Sequence, residues 1–290
     1  MPALFQYLFS GLTSGSIYAL AALGLTIIFN ASNVVNFAQG SFLMLGGMIT
    51  AALVTAGAPL PLAVTTAALG TVVVAGLLYR FAIAPARDAD PVSLIIITIG
   101  ASIFIDGVAA LIFGKNQHVV PPFSSDIPIR MFGATLLPQS IWMMVSAAVL
   151  VGAVTWYFRF TLAGKAMRAV SINADAASLV GINPGKFLFV AFCMSAFLGA
   201  MAGAVSAPIT TTVYDIGLVL GLKGFVGATL GGLGSAAGAI VGGLVLGVFE
   251  SLVAGYISTA YKDAVPFVLI IAILMFMPQG LLGSRIKDRV

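Results

Sequence analysis

The chain alternates long apolar runs with short polar connections. Nine apolar segments stand out, at roughly 4–29, 36–57, 60–80, 92–114, 139–159, 188–209, 217–235, 236–255 and 265–283. Each is long enough to cross a hydrocarbon layer about 30 Å thick as an α-helix. The pattern predicts an all-α, polytopic transmembrane bundle of about eight or nine spans, a single transmembrane domain over 1–290. The run 217–235 carries Lys223 and several glycines. It can be read as a full crossing or as a re-entrant half-helix buried in protein.

Basic residues choose between these readings. Arg80 and Arg87, then Arg159, Lys165, Arg168 and Lys186, then Arg285, Lys287 and Arg289 occupy three polar stretches. Cytoplasmic connections are rich in Lys and Arg, so all three belong inside. This leaves the N-terminus outside, with 56–60, 115–138 and 210–216 outside as well. The tail falls inside only if 217–235 crosses completely, which favours nine crossings. The first residues, MPALFQYLFSGL, lack the basic stretch of a cleaved signal, so the first helix is expected to be retained.

The stretch NASNVVNFAQG interrupts this apolar pattern. Asn30, Asn33, Asn36 and Gln39 recur every third residue and would form one winding polar strip on a helix. An unpaired amide in hydrocarbon costs a few kcal/mol. The strip therefore belongs at a boundary, a helix break or a wet pathway. Asn33, Asn36 and Gln39 are candidates for a translocation pathway; the alternative is that they cap and join two helices.

Composition narrows the chemistry. Of 290 residues 60% are hydrophobic and 8% charged, with mean hydropathy +1.13, whereas soluble domains carry about 25% charged residues. The net charge of +4 lies in a few connections and reads as topology rather than nucleic-acid binding. Cys193 is the sole cysteine and His118 the sole histidine, too few for a disulfide framework or a metal site. No G-x-x-x-x-G-K-[ST] loop is present, no catalytic residue is expected, and any ATP must be hydrolysed by another chain. Glycines at GxxxG spacing crowd 217–247 and predict close packing around the core or a subunit partner. Three charges fall inside apolar runs, namely Asp106, Lys223 and Glu250. Such groups form buried pairs, contact substrate or relay protons, and Asp106 and Glu250 should lie in the outer halves of their spans.

The longest inner connection, 160–187, is amphipathic. Ala166, Ala169, Val170, Ala177 and Val180 form a small apolar face, Arg168, Asp175 and Lys186 face water, and Gly181 and Pro184 supply a stop. A short cytoplasmic helix of this kind suits docking on a partner. Lying on lipid headgroups is the alternative, although such helices favour larger apolar side chains.

Asp175, Ala176, Ala177 and Gly181 resemble the EAA-x-x-x-G signature of ABC-importer permeases, with Asp in place of Glu. The opening GLTSGSIYALAALGLTIIFNASNVVNFAQGSFLMLGGM and the later GLKGFVGATLGGLGSAAGAIVGG are similar to branched-chain amino acid permeases of the Liv type, and the resemblance covers nearly the whole chain in order. It implies that 160–187 is a coupling loop seated on an ATPase subunit through Asp175, Ala176, Ala177 and Gly181. It implies a heterodimer with a second homologous permease, two cytoplasmic ATPases that bind ATP and Mg, and a periplasmic binding protein, all in a bacterial inner membrane. Leucine, isoleucine and valine are the default substrates, chosen largely by the binding protein. It also hints at pseudo-symmetric halves, with 37–47 set against 222–232. The competing readings are a proton- or ion-coupled carrier using Asp106 and Glu250, and, on weaker grounds, a membrane enzyme.

Overall fold

A computed structural model describes residues 2–86, 89–131 and 133–283. Its order is α1 (Pro2–Ser32), α2 (Gln39–Thr55), α3 (Leu60–Leu78), α4 (Pro91–Phe113), a hairpin of β1 (Ile129–Met131) and β2 (Ala134–Leu136), α5 (Pro138–Phe160), α6 (Leu162–Ile172), α7 (Ala174–Leu179), α8 (Pro184–Thr210), α9 (Ile216–Gly231), α10 (Ala236–Tyr256) and α11 (Val265–Phe276). All nine apolar segments are helical. Among the described residues seven helical segments are long and apolar enough to cross a membrane, the last being α11 together with the 3-10 turn Thr259–Ala264 before it, while α2 and α9 are shorter. Proline opens several of them, since α3, α4, α5, α8 and α11 all carry Pro in the first turn, where its missing N–H costs no hydrogen bond. At the start of α4 the Ser93 hydroxyl and amide both donate to Asp90 and hold its carboxyl below the usual carboxylate range.

The two ends of the bundle are chemically distinct. Tyr79 donates to the Gly185 carbonyl and Asn30 to that of Gly234, so Arg80, Arg159, Arg168 and Lys186 gather at one end, the inner one. The other end holds the hairpin, which Gln6 joins through paired bonds with Thr135. The hairpin is too short to show in the hydropathy pattern. After α11 the chain returns to the inner end, where the Leu281 and Leu282 amides donate to Leu230 and Gly231. The short connection 211–215 followed by α9 therefore carries the chain from the outer end to the inner one, which agrees with a crossing rather than a re-entrant return. Arg87 and the tail charges Arg285, Lys287 and Arg289 lie outside the described residues.

The bundle consists of two like halves of opposite direction. The packing is matched between halves: α2 packs on α3 as α9 does on α10, α1 packs on α10 as α8 does on α3, and α1 packs on α9 as α8 does on α2. α1 runs inward and α8 outward. Each ends at a non-glycine residue in the left-handed region, Asn33 at φ 55° and Thr211 at φ 52°, the only two among the described residues. A short non-helical stretch then leads to α2 or α9. The two short helices meet at their first turns, Gly40 against Gly217 and Gly221. This crossing aligns Gly40 with Gly217, not 37–47 with 222–232 as the glycine pattern suggested.

Glycine allows the approach. A Cβ on Gly11 would sit 2.6 Å from the Val248 Cα, and one on Gly15 2.9 Å from that of Leu244. Backbone contact of this kind supplies the packing energy that lipid does not. The glycine-rich stretch 217–247 is thus spent on the chain's own core, since α9 and α10 pack on each other and on α1.

Candidate functional site

The amide strip is not one helical stripe. Asn30 ends α1, Asn33 and Asn36 lie in the break, and Gln39 opens α2. Asn33 is exposed, and its N–H reaches the Phe29 carbonyl, closing the last turn of α1. Asparagine suits that position because its short polar side chain tolerates positive φ. Asn36 is 1% exposed. Its Oδ1 accepts from the Ala38 N–H at 3.1 Å, while its Nδ2 has no hydrogen-bond partner. It borders a cavity of about 190 Å³, walled by apolar side chains such as Ile28, Leu94 and Phe192 with the Thr98 hydroxyl beside it. Gln39 is fully buried and clamps α2 to α8: its Oε1 accepts from the Ser195 hydroxyl, and its Nε2 donates to the Ser195 carbonyl at 3.2 Å.

Ser41 extends this polar centre to α4. Its hydroxyl donates to Asp106 Oδ1 at 2.8 Å and lies 2.8 Å from Ser102 Oγ. Asp106 is half-buried. Fifteen residues of helix separate it from the inner start of α4, about 22 Å, which puts it in the outer half as expected.

Lys223 and Glu250 come together. Lys223 Nζ donates to Glu250 Oε1 at 2.6 Å and to Asp263 Oδ1 at 2.9 Å, and lies 5.5 Å from the Tyr18 ring centroid. The Glu250 side chain is 1% exposed while that of Asp263 is 79% exposed. The network therefore runs from the core to the outer end. Lys223 and Glu250 form a buried ion pair, as expected where an unpaired charge costs several kcal/mol.

At the inner end, 160–187 is not one amphipathic helix. Asn173 breaks it into α6 and α7, accepting the Ala176 N–H at 2.9 Å. The break resets the helical phase. Val170 and Ala177 are buried against the chain's own bundle, but Val180, expected on the same face, is 75% exposed. Asp175, Ala176 and Gly181 face outward as well. Gly181 closes α7 at φ 85°, its N–H on the Ser178 carbonyl and that of Ile182 on Ala177, a left-handed cap that favours glycine. Leu179, 88% exposed, leaves a bare apolar tip beside Val180.

Sequence reading missed Ser41, Ser102, Ser195 and Asp263. All are common residue types whose partners lie far along the chain, so only the fold reveals them. Among the described residues no group of three or more His, Cys, Asp or Glu could hold a metal. His118 sits in the outer connection, bonded to the Phe113 carbonyl and bridged to Thr212.

Comparison with known proteins agrees with this architecture. The pattern for the branched-chain amino acid transport system permease component matches residues 7–274. The chain is 35% identical to LivH, a high-affinity branched-chain amino acid transport system permease protein of Escherichia coli K12, over 98% of this chain and 97% of that one. It is 31% identical to BraD of Pseudomonas aeruginosa PAO1, a protein of the same description, over 100% of both. Among solved structures it is similar to PsaBC from Streptococcus pneumoniae in complex with Fab, with a TM-score of 0.52 and 11% identity, covering 95% of this chain and 93% of that one; at this identity the likeness is one of fold alone. A match over nearly the whole length, on a polytopic helical bundle with interrupted helices, places the chain in the family of branched-chain amino acid transport permease components.

Proposed function

We propose that this chain is one membrane-spanning subunit of an ATP-binding cassette importer for leucine, isoleucine and valine in a bacterial inner membrane. The observation that carries the reading is the family match over residues 7–274. A second, homologous permease pairs with it, a periplasmic binding protein delivers substrate, and two cytoplasmic ATPases bind ATP and Mg and drive the cycle. The chain itself performs no covalent chemistry.

The inner surface and the two breaks have separate tasks in this reading. The exposed tip of α7, with Asp175, Ala176, Leu179, Val180 and Gly181, seats on an ATPase; Ala177 holds that tip to the bundle from beneath. Asn36 and Asp106 border the substrate path. The free Asn36 Nδ2 offers a donor to a carboxylate beside apolar walls suited to a branched side chain. Gln39 and Asn33 hold the break, and Lys223 with Glu250 holds the outer half. A carrier driven by proton or ion binding at Glu250 is disfavoured because Lys223 already neutralises it.

The test is uptake of labelled leucine into proteoliposomes holding the assembled importer, with binding protein outside and ATP inside. Uptake that requires ATP and persists without any ion gradient is expected. Uptake driven by a proton gradient in the absence of ATP would overturn the proposal. In the same assay Leu179→Glu should cut ATP-driven uptake at least tenfold with normal insertion, since it buries a charge in the docking contact.

A further inference from the structure

A second cavity lies at the inner end and has no part in the path just described. It occupies about 490 Å³ between α1, α5, α6 and the start of α10. Its polar groups share one preference. Arg159 and Arg168, both exposed, stand at its mouth, and no acidic side chain lines it. Ala236 and Ala237 bring the first turn of α10; Ser235 Oγ caps the Gly238 N–H at 3.0 Å, and the N–H groups of Ala236 and Ala237 carry the positive end of the helix dipole. One Arg168 nitrogen is held by the Phe158 carbonyl at 2.6 Å, which fixes the guanidinium and leaves its other donors free. Deeper in, Val154 and Ile240 make apolar walls.

The floor of this cavity holds an unusual hydroxyl. Thr26 is fully buried on α1, and its Oγ1 has no hydrogen-bond partner. The other buried threonines in these helices bond back to a carbonyl three or four residues earlier, as Thr13, Thr50, Thr71, Thr98 and Thr229 do. Thr26 does not, although it lines the cavity. A buried hydroxyl left unpaired costs about 1–3 kcal/mol, so an acceptor from outside the chain is the natural complement.

We propose that this cavity binds an anionic phospholipid of the inner leaflet. The headgroup phosphate meets Arg159, Arg168 and the α10 N-terminus; a glycerol ester carbonyl accepts the Thr26 hydroxyl; the acyl chain follows Val154 and Ile240 toward the bilayer. Thr26 stands four residues, about 6 Å, above Asn30 at the inner end of α1, so the acceptor it needs lies deeper than a phosphate at the arginines. A basic pocket between helices on the cytoplasmic side suits such a headgroup, and a free phosphate supplies no second acceptor at that depth.

The two tryptophans allow a direct test. Trp142 lies at the outer end, where its Nε1 donates to Ser124 Oγ, and Trp156 lies near the inner end of α5, beside the cavity-lining Thr155. The full chain carrying Trp142→Phe is placed in phosphatidylcholine vesicles doped with phosphatidylglycerol brominated on its acyl chains. Quenching of Trp156 should report local enrichment about tenfold above that of brominated phosphatidylcholine at the same mole fraction, as expected for two or more charge-assisted contacts. Thr26→Val should reduce that preference several-fold and Arg159→Gln with Arg168→Gln should abolish it, while Thr26→Ser and Lys165→Gln, the latter outside the lining, should preserve it. Equal quenching by the two lipids, or an equal loss in Lys165→Gln, would overturn the proposal. So would displacement by inorganic phosphate, which would mark a site for a free anion. Should the valine variant not fold, native mass spectrometry of the unsubstituted chain decides: retained phosphatidylglycerol supports the site, and its absence refutes it.

Discussion

The break after α1 and the break after α8 do the same job with different chemistry. Both begin at a residue in the left-handed region and feed a short helix whose first turn lies inside the membrane. The inner break uses Asn33, at φ 55°, then a neutral amide clamp of Gln39 on Ser195. The outer break uses Thr211, at φ 52°, and the helix it feeds is held by the ion network of Lys223, Glu250 and Asp263. Asparagine adopts this region readily, whereas a β-branched residue does so at a cost of about 1–2 kcal/mol. A positive φ is thus reached once by a residue suited to it and once by a residue held there by its surroundings.

The largest effect should come from the ionic side. Lys223→Met leaves the buried Glu250 with only the more distant, exposed Lys262, 3.9 Å away, and should lower stability by about 3 kcal/mol, read as a fall in unfolding temperature in detergent. Adding Glu250→Leu should recover most of that loss. A double variant no more stable than the single one would show that the network does not act as a charge pair. On the amide side Gln39→Ala removes a neutral clamp and should cost about 1–3 kcal/mol. An effect equal to that of Lys223→Met would erase the distinction between the two halves.

Smaller changes probe the turn residues. Thr211→Gly should raise stability by about 1 kcal/mol by removing the left-handed strain. Asn33→Gly should shift it by only a few tenths, because asparagine tolerates that conformation. Destabilisation by Thr211→Gly would mean that contacts of the threonine, such as its hydroxyl on the Thr210 carbonyl at 2.6 Å, outweigh the backbone strain.

These residues also mark how far sequence reading reaches. The bilayer demands continuous apolar helices, so all nine segments were legible from hydropathy. The basic connections were legible as one group too, since Arg80, Arg159, Arg168 and Lys186 gather at one end of the bundle. Phase across a break was not. Asn30 to Gln39 keep a three-residue spacing, but a helix stop at Asn33 makes that spacing meaningless as a stripe. Asn173 does the same in 160–187, which is why Ala177 and Val180, expected on one docking face, point apart: Val180 is exposed and Ala177 is buried against the bundle. Pairing between helices was equally hidden. Lys223 and Glu250 stand on antiparallel neighbours, 27 residues apart, and nothing in that separation identifies them as partners. The free Nδ2 of Asn36 and the free hydroxyl of Thr26 needed the full hydrogen-bond network before they could be recognised.

The central claim is that the two halves cross the membrane in opposite directions, so that nine crossings separate the two ends of the chain. Single cysteines at Ser124, Asn33 and Lys287, each in a Cys193→Ala background, can be labelled with an impermeant thiol reagent in intact and in permeabilised cells. Labelling of Ser124→Cys in intact cells is expected, with Asn33→Cys and Lys287→Cys reacting only after permeabilisation. Labelling of Lys287→Cys in intact cells would mean an even number of crossings and would contradict the account.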